Sequence, residues 1–131
     1  MPECPFCEMA RDDRHQRKQI TNALGFAVRD GFPVSNGHTL IIPNRHVQSF
    51  FDLTEEERAA LLLLLDQAKS QIAANYSPDG YNIGINDGPA AGQTVPHLHI
   101  HLIPRYHKEG DDPRGGVRWV IPQKANYWSN R

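Results

Sequence analysis

Apolar positions along this chain fall into one long helical rhythm and several short alternating or continuous runs. From residue 54 a charged turn, TEEER, leads into AALLLLLDQAKSQIAA, whose leucines at 61, 62, 64 and 65 cover a wide apolar stripe at helical spacing. Thr54 followed three residues later by Glu57 forms a capping box, and three successive glutamates suit the positive end of a helix dipole. The turn formers Ser77-Pro78-Asp79-Gly80 close the stretch, so the pattern predicts one long helix over about 54–74. Elsewhere the apolar runs are short. Residues 26–30, 39–42, 81–86 and 97–103 each read as a strand, with Val34-Ser35-Asn36-Gly37 as the turn between the first two. A pair of strands, a helix and a second pair predict an α+β fold built on an antiparallel sheet. Residues 117–121 are a candidate for a short extra strand in an otherwise irregular tail.

Composition narrows the classes. A chain of 131 residues with 39% apolar content suits a single domain, 1–131, around one modest core, and no repeat or linker divides it. Net charge of −1 supplies no positive field for nucleic acid or an acidic membrane surface. The longest apolar run, 59–65, is far short of the roughly 20 residues a membrane span requires. The polar N-terminal stretch has no hydrophobic segment of the signal-peptide kind, so a cytoplasmic location is expected. Both cysteines lie in Cys4-Pro-Phe-Cys7, where a reducing compartment disfavours a structural disulfide.

Three of the seven histidines crowd into His97-Leu98-His99-Ile100-His101. On a strand, alternate positions share a face with about 6.5–7 Å between successive members. His97, His99 and His101 are then expected on one face, with Leu98, Ile100 and Leu102 in the core. Imidazoles arrayed this way suit a metal site or, with an ordinary pKa of about 6.5, nucleophilic and acid–base chemistry. The Cys4/Cys7 pair has three readings: a redox pair, for which no strand precedes residue 4; two unrelated buried thiols; or half of a tetrahedral zinc site.

The stretch Gln93-Thr94-Val95-Pro96-His97-Leu98-His99-Ile100-His101-Leu102-Ile103 resembles the signature of the histidine-triad (HIT) family, alternating histidines with apolar residues. Gly37-His38-Thr39-Leu40-Ile41-Ile42-Pro43 and Asn86-Asp87-Gly88 are similar to two further segments of that family. The resemblance runs from about Cys4 to Arg105, leaving 106–131 as a tail. It implies a five-stranded, mainly antiparallel sheet with one long helix and a short N-terminal helix, assembled as a homodimer. The implied activity is hydrolysis or transfer at the α-phosphate of a small-molecule nucleotide. A dinucleoside polyphosphate is the leading substrate class. Phosphoramidase and nucleotidyltransferase are alternatives within the family, and a non-catalytic nucleotide-binding signalling module is one outside it.

Residue by residue, the resemblance implies His99 as the nucleophile and His101 as the group that assists departure. His38 would line the same phosphate pocket. Gln93, Thr94 and Asn86 would meet phosphate oxygens, and Asp30 the ribose hydroxyls, although Asp30, Asn86 and Asp87 also stand where turn chemistry alone explains them. Zinc-containing bacterial members pair a Cys-x-x-Cys with two histidines, which points to Cys4, Cys7, His46 and His97 as ligands of a structural Zn²⁺. In the tail, Arg118 and Trp119 either approach the nucleotide or simply pack. His15 and His107 read as surface residues.

Overall fold

The computed structural model describes residues 4–110 and 112–129. The long helix, α2, runs Glu55–Tyr76, and its capping box forms as expected. Thr54 Oγ1 accepts the Glu57 N–H at 3.1 Å, and Glu57 Oε1 accepts the Thr54 N–H at 2.9 Å. Its end is marked by Ser77 in the left-handed region (φ 51°), after which Pro78 cannot continue the helix. The buried stripe is narrower than the leucine run predicts. Leu61, Leu64, Ala68 and Ile72 are buried, whereas Leu62 and Leu63 stand 53% and 52% exposed. A helix lying on a flat sheet touches it along one row of positions three or four apart, so consecutive leucines cannot all face it.

Helix α1 (Pro5–Arg11) precedes strands β1 (Lys18–Thr21), β2 (Gly25–Arg29) and β3 (Thr39–Pro43). After α2 come β4 (Gly80–Gly84) and β5 (Ile100–Arg105), and the tail contains a short helix, α3 (Pro122–Ala125). The five strands form one antiparallel sheet in the order β1-β2-β3-β5-β4. Ala27, Ile41, Ile100 and Leu102 belong to the core under α2. Phe26, Val28, Leu40 and Ile42 pack on the opposite face with Phe6 and Met9 of α1. Because α1 is only seven residues long, it covers part of that face and leaves the remainder open beside β5.

Three expectations are revised. Strand β1 was not foreseen: Lys18-Gln19-Ile20-Thr21 carries one apolar residue, and pairing with β2 holds it in extended form. The last strand begins at Ile100, three residues later than the 97 expected, because the backbone N–H of Leu98 goes to Val47 O at 2.7 Å and not to a strand neighbour. Residues 117–121 form no strand. Gly115 and Gly116 have φ of 96° and 48°, and the chain closes into a 3₁₀ turn over Gly116–Val120, which bonds within itself.

Candidate functional site

Cys4 caps α1, its Sγ accepting the Cys7 N–H at 3.4 Å, so both sulfurs lie on the same side of the first turn. His97 reaches them from the segment before β5, and His46 from the loop after β3. The Nε2–H of His97 donates to the Pro43 carbonyl at 2.8 Å, which turns the lone pair of Nδ1 toward the sulfurs. His97 Nδ1 lies 3.3 Å from Cys4 Sγ, 3.5 Å from Cys7 Sγ and 3.3 Å from His46 Nδ1. Cys7 Sγ lies 3.2 Å from His46 Nδ1. All four donor atoms fall within 4.8 Å of one another. A tetrahedron with metal–sulfur bonds of about 2.3 Å and metal–nitrogen bonds of about 2.0–2.1 Å has edges of about 3.3–3.8 Å. The donor set and its spacing therefore fit a zinc ion closed on all four sides. Burial, and then Cys4, push the Cys7 thiol above its ordinary pKa, a cost that a divalent cation reverses by stabilising thiolates.

The uncovered part of the sheet is a cleft of about 620 Å³ lined by Asp30, His38, Asn86, Thr94, His99 and His101 among others. His99 donates its Nδ1–H to the His97 carbonyl at 3.0 Å, leaving Nε2 with an available lone pair. Phe6 packs edge-on against both His97 and His99, with ring centroids 5.8 and 5.0 Å away, and so separates the metal-type cluster from the cleft. His101 Nδ1 lies 3.0 Å from His38 Nε2. Val34 N–H donates to His38 Nδ1 at 3.2 Å, so the proton of a neutral His38 sits on Nε2 and points at His101 Nδ1. By the same logic the proton of His101 sits on its own Nε2. Burial, then His99 and His38, push the His101 pKa down to about 4. Burial lowers His38 as well, against the opposing pull of the Asp30 carboxylate 3.4 Å away. Both rings are neutral at pH 7 and form a directed chain of donors.

The Asp30 carboxylate faces two ways. One carboxylate oxygen accepts Phe32 N–H at 2.8 Å and shapes the turn, while the other faces His38 in the cleft. Thr94 and Asn86 stand exposed at the rim. Gln93 sits differently: Oε1 accepts Gly88 N–H at 2.8 Å, and Nε2 donates to Gln48 O at 3.0 Å and Val95 O at 3.1 Å. Its amide ties the loop together instead of pointing a donor into the cleft. Asp87 is more than a turn residue, since it accepts Ser49 Oγ–H at 3.0 Å and Phe50 N–H at 2.9 Å. Arg118 and Trp119 bond within the tail, to Ala125 O and Arg114 O. His107 is exposed beside Asp79, and the Nδ1 of half-buried His15 accepts Arg17 N–H at 3.3 Å. Phe6, Val34 and Pro43 were missed by sequence reasoning. Phe6 lies conspicuously inside Cys-x-x-Cys, but the other two act through backbone atoms that no side-chain pattern announces.

Residues 13–108 match the HIT domain. The adenosine 5′-monophosphoramidase hnt1 of Schizosaccharomyces pombe is 35% identical over 106 residues, 81% of this chain and 77% of that protein. A bis(5′-adenosyl)-triphosphatase of Dictyostelium discoideum is 44% identical over 86 residues, 66% of this chain and 58% of that one. Among solved structures, a zinc-bound histidine triad family protein from Mycobacterium smegmatis superposes with a TM-score of 0.70 at 33% identity, covering 82% of this chain and 78% of the other. The match to the HIT domain starts beyond Cys4 and Cys7 but contains His38, His46 and all three clustered histidines. With its five-stranded sheet, its histidines in the matched order and these relatives, the chain belongs to the histidine-triad family.

Proposed function

We propose that the protein is a hydrolase that releases a nucleoside monophosphate from a dinucleoside polyphosphate or related nucleotide conjugate, by way of a nucleotide attached to His99. The observation that carries this is the orientation of His99: Nδ1–H is held by the His97 carbonyl, so Nε2 faces the cleft as a nucleophile. The His99 lone pair forms a bond to the α-phosphorus while the bond to the leaving atom breaks with its electrons. His101 Nε2–H donates a hydrogen bond to that atom and steadies the negative charge it carries away. The phosphorylated ring of His99 is positive and lies 5.1 Å, centroid to centroid, from the neutral ring of His101. Water then attacks phosphorus and loses a proton to the solvent, and the electron pair of the P–N bond returns to His99.

The rim residues Thr94 and Asn86 are placed to meet phosphate oxygens, and Gln93 supports the loop that carries Thr94. Asp30 offers the ribose hydroxyls an acceptor, and His38 fixes the tautomer of His101. Cys4, Cys7, His46 and His97 hold a structural Zn²⁺, which pins the N-terminal segment to the start of the catalytic strand. No position is left open for substrate on that ion, so every step of the reaction is assigned to the histidines. Reduced thiol ligands suit a cytoplasmic location. No described helix is long and apolar enough to cross a membrane.

A homodimer is favoured by β4, an edge strand of the sheet, together with exposed Ile83 and the exposed leucines of α2. Sedimentation of the purified chain checks that state directly. The catalytic reading is tested by quenching turnover with diadenosine triphosphate in acid-free denaturant and weighing the intact protein. One added nucleotidyl group on His99 is expected. Turnover without any adduct under single-turnover conditions argues for direct attack by water and rejects the covalent route.

A further inference from the structure

Two arginines line the cleft, and only one of them is fully occupied. Arg29 donates to Thr39 Oγ1 at 2.8 Å and to Gln71 Oε1 at 3.1 Å. Arg17 donates through Nε to the Arg29 carbonyl at 3.3 Å, and its Nη groups meet no acceptor among the described residues. Gly31 makes room for this side chain. A Cβ built on Gly31 would lie 3.2, 3.3 and 3.6 Å from Arg17 Nη2, Cζ and Nε. Distances so nearly equal place that point over the flat of the guanidinium and not at its rim. The group therefore lies face-on against the glycine, and its Nη–H donors are left for a ligand.

A chain of contacts leads from the clustered histidines to this arginine. His101 Nδ1 lies 3.0 Å from His38 Nε2, His38 Nε2 lies 3.4 Å from Asp30 Oδ2, and Gly31 follows Asp30. With phosphorus at His99 and ribose at Asp30, that order leaves the base beside Arg17. Phe6, Met9, Val28 and Leu40 line the same cleft and offer apolar surface to a flat ring. Resting on the nucleotide reading above, we propose that Arg17 reads the base and selects guanine over adenine. Guanine presents O6 and N7 side by side as acceptors, which match two N–H groups of a planar guanidinium. Adenine sets N6–H₂ beside N7, so one donor faces another. A second phosphate on the ribose, the other partner for a free cation, is opposed by the Asp30 carboxylate at that position.

Titration calorimetry with GMP, inosine 5′-monophosphate and AMP tests this without requiring turnover. The wild type is expected to bind GMP and the inosine nucleotide at least about fivefold more tightly than AMP, the low end of what a two-pronged arginine–guanine pair discriminates. The inosine nucleotide keeps O6 and N7 but lacks the 2-amino group, so its likeness to GMP marks the edge that is read. Arg17→Leu should bring GMP and AMP to within about twofold of each other. Gly31→Val should do the same with the arginine still present, because its side chain takes the place of the guanidinium. Arg17→Lys keeps the charge without the planar fork and should lose most of the preference. The ratio of kcat/KM for diguanosine over diadenosine triphosphate should follow these affinities, with the adenine compound still turned over. Equal affinity for GMP and AMP in the wild type, or a guanine preference that survives Arg17→Leu, overturns the assignment. So does adenosine 3′,5′-bisphosphate binding more tightly than AMP in the wild type but not in Arg17→Leu, which gives the cation to a phosphate. A guanine preference in binding with neither dinucleotide turned over upholds the role of Arg17 and rejects the hydrolase reading alone.

Discussion

Two clusters of ionisable side chains flank Phe6, and they use similar residues to opposite ends. In the first, Cys4, Cys7, His46 and His97 turn their lone pairs inward to a common point. In the second, Val34 N–H, His38 and His101 are joined head to tail, each donating a hydrogen bond to the next, with the last one facing a cavity. The difference lies in what the far nitrogen of each imidazole meets. His97 donates outward through Nε2, which leaves Nδ1 free for the proposed metal; His99 donates outward through Nδ1, which leaves Nε2 free for the proposed attack on phosphorus; His101 accepts at Nδ1, which leaves Nε2–H as a hydrogen-bond donor. Three histidines at alternate positions thus present three different nitrogens because three different backbone or ring partners stand behind them.

The largest effect should come from removing the nucleophile. His99→Asn should lower kcat by at least about 10³-fold while nucleotide affinity, measured by calorimetry, stays within a few-fold, because the ring makes the intermediate and not the pocket wall. A variant that retained a third of wild-type turnover would falsify the division of roles.

Next in size, Cys4→Ser should empty the first cluster. The purified wild type is expected to carry one zinc per chain, and the variant to lose it together with a clear drop in Tm, since ligand assembly and folding are linked. His97→Ala should behave like Cys4→Ser. His101→Ala should keep its metal and lose turnover. Full zinc occupancy in His97→Ala would merge the two clusters and end the contrast drawn here.

A smaller effect is expected from pH. Burial lowers the pKa of His101 to about 4 and lowers that of His38, so between the unfolded value of 6.5 and the folded one the unfolded chain binds more protons. Stability contributed by keeping these rings neutral is present above the unfolded value and is lost as pH falls through that window, by at most about 1.4 kcal/mol per pH unit for each ring. Urea titrations at pH 7 and pH 5 should show the loss, and His101→Gln should shrink it. An equal loss in both proteins would assign the acid sensitivity elsewhere.

The smallest change concerns Asp30, whose carboxylate is shared between a turn and the cleft. Asp30→Ala should narrow the preference for ribose over 2′-deoxyribose substrates several-fold, in line with loss of one or two hydrogen bonds. An unaltered preference would leave the residue to the turn alone.

Much of this was legible in the sequence where side chains carried the signal. Thr54, Glu57 and Ser77 bounded α2 because caps and breakers are local chemistry. The alternation from Leu98 to Leu102 named the buried and cleft-facing sets, and it holds although β5 starts late. What escaped was carried by the backbone or by partners distant in sequence. β1 exists because β2 offers it a ladder, and the 3₁₀ turn at Gly116–Val120 follows two glycine dihedrals that apolar content does not reveal. The candidate residues were named by a motif; their wiring through Pro43 O, His97 O and Val34 N–H was not, and neither was the turning of Gln93 toward its own loop.

Arg45, between Asn44 and His46, makes a two-pronged ion pair with Glu57, at 2.9 Å through Nε and 2.8 Å through Nη2. Glu57 is also the reciprocal half of the α2 capping box, and the guanidinium holds its carboxyl down to about 2. The first turn of the longest helix and the loop that presents His46 are therefore one mechanical unit, joined through a single carboxylate. Fraying at 55–58 and the lifetime of a metal on His46 should then rise and fall together. Chelation should speed amide hydrogen exchange in that first turn well before it reaches the middle of the helix, and Glu57→Gln should quicken metal release although it touches none of the four ligands.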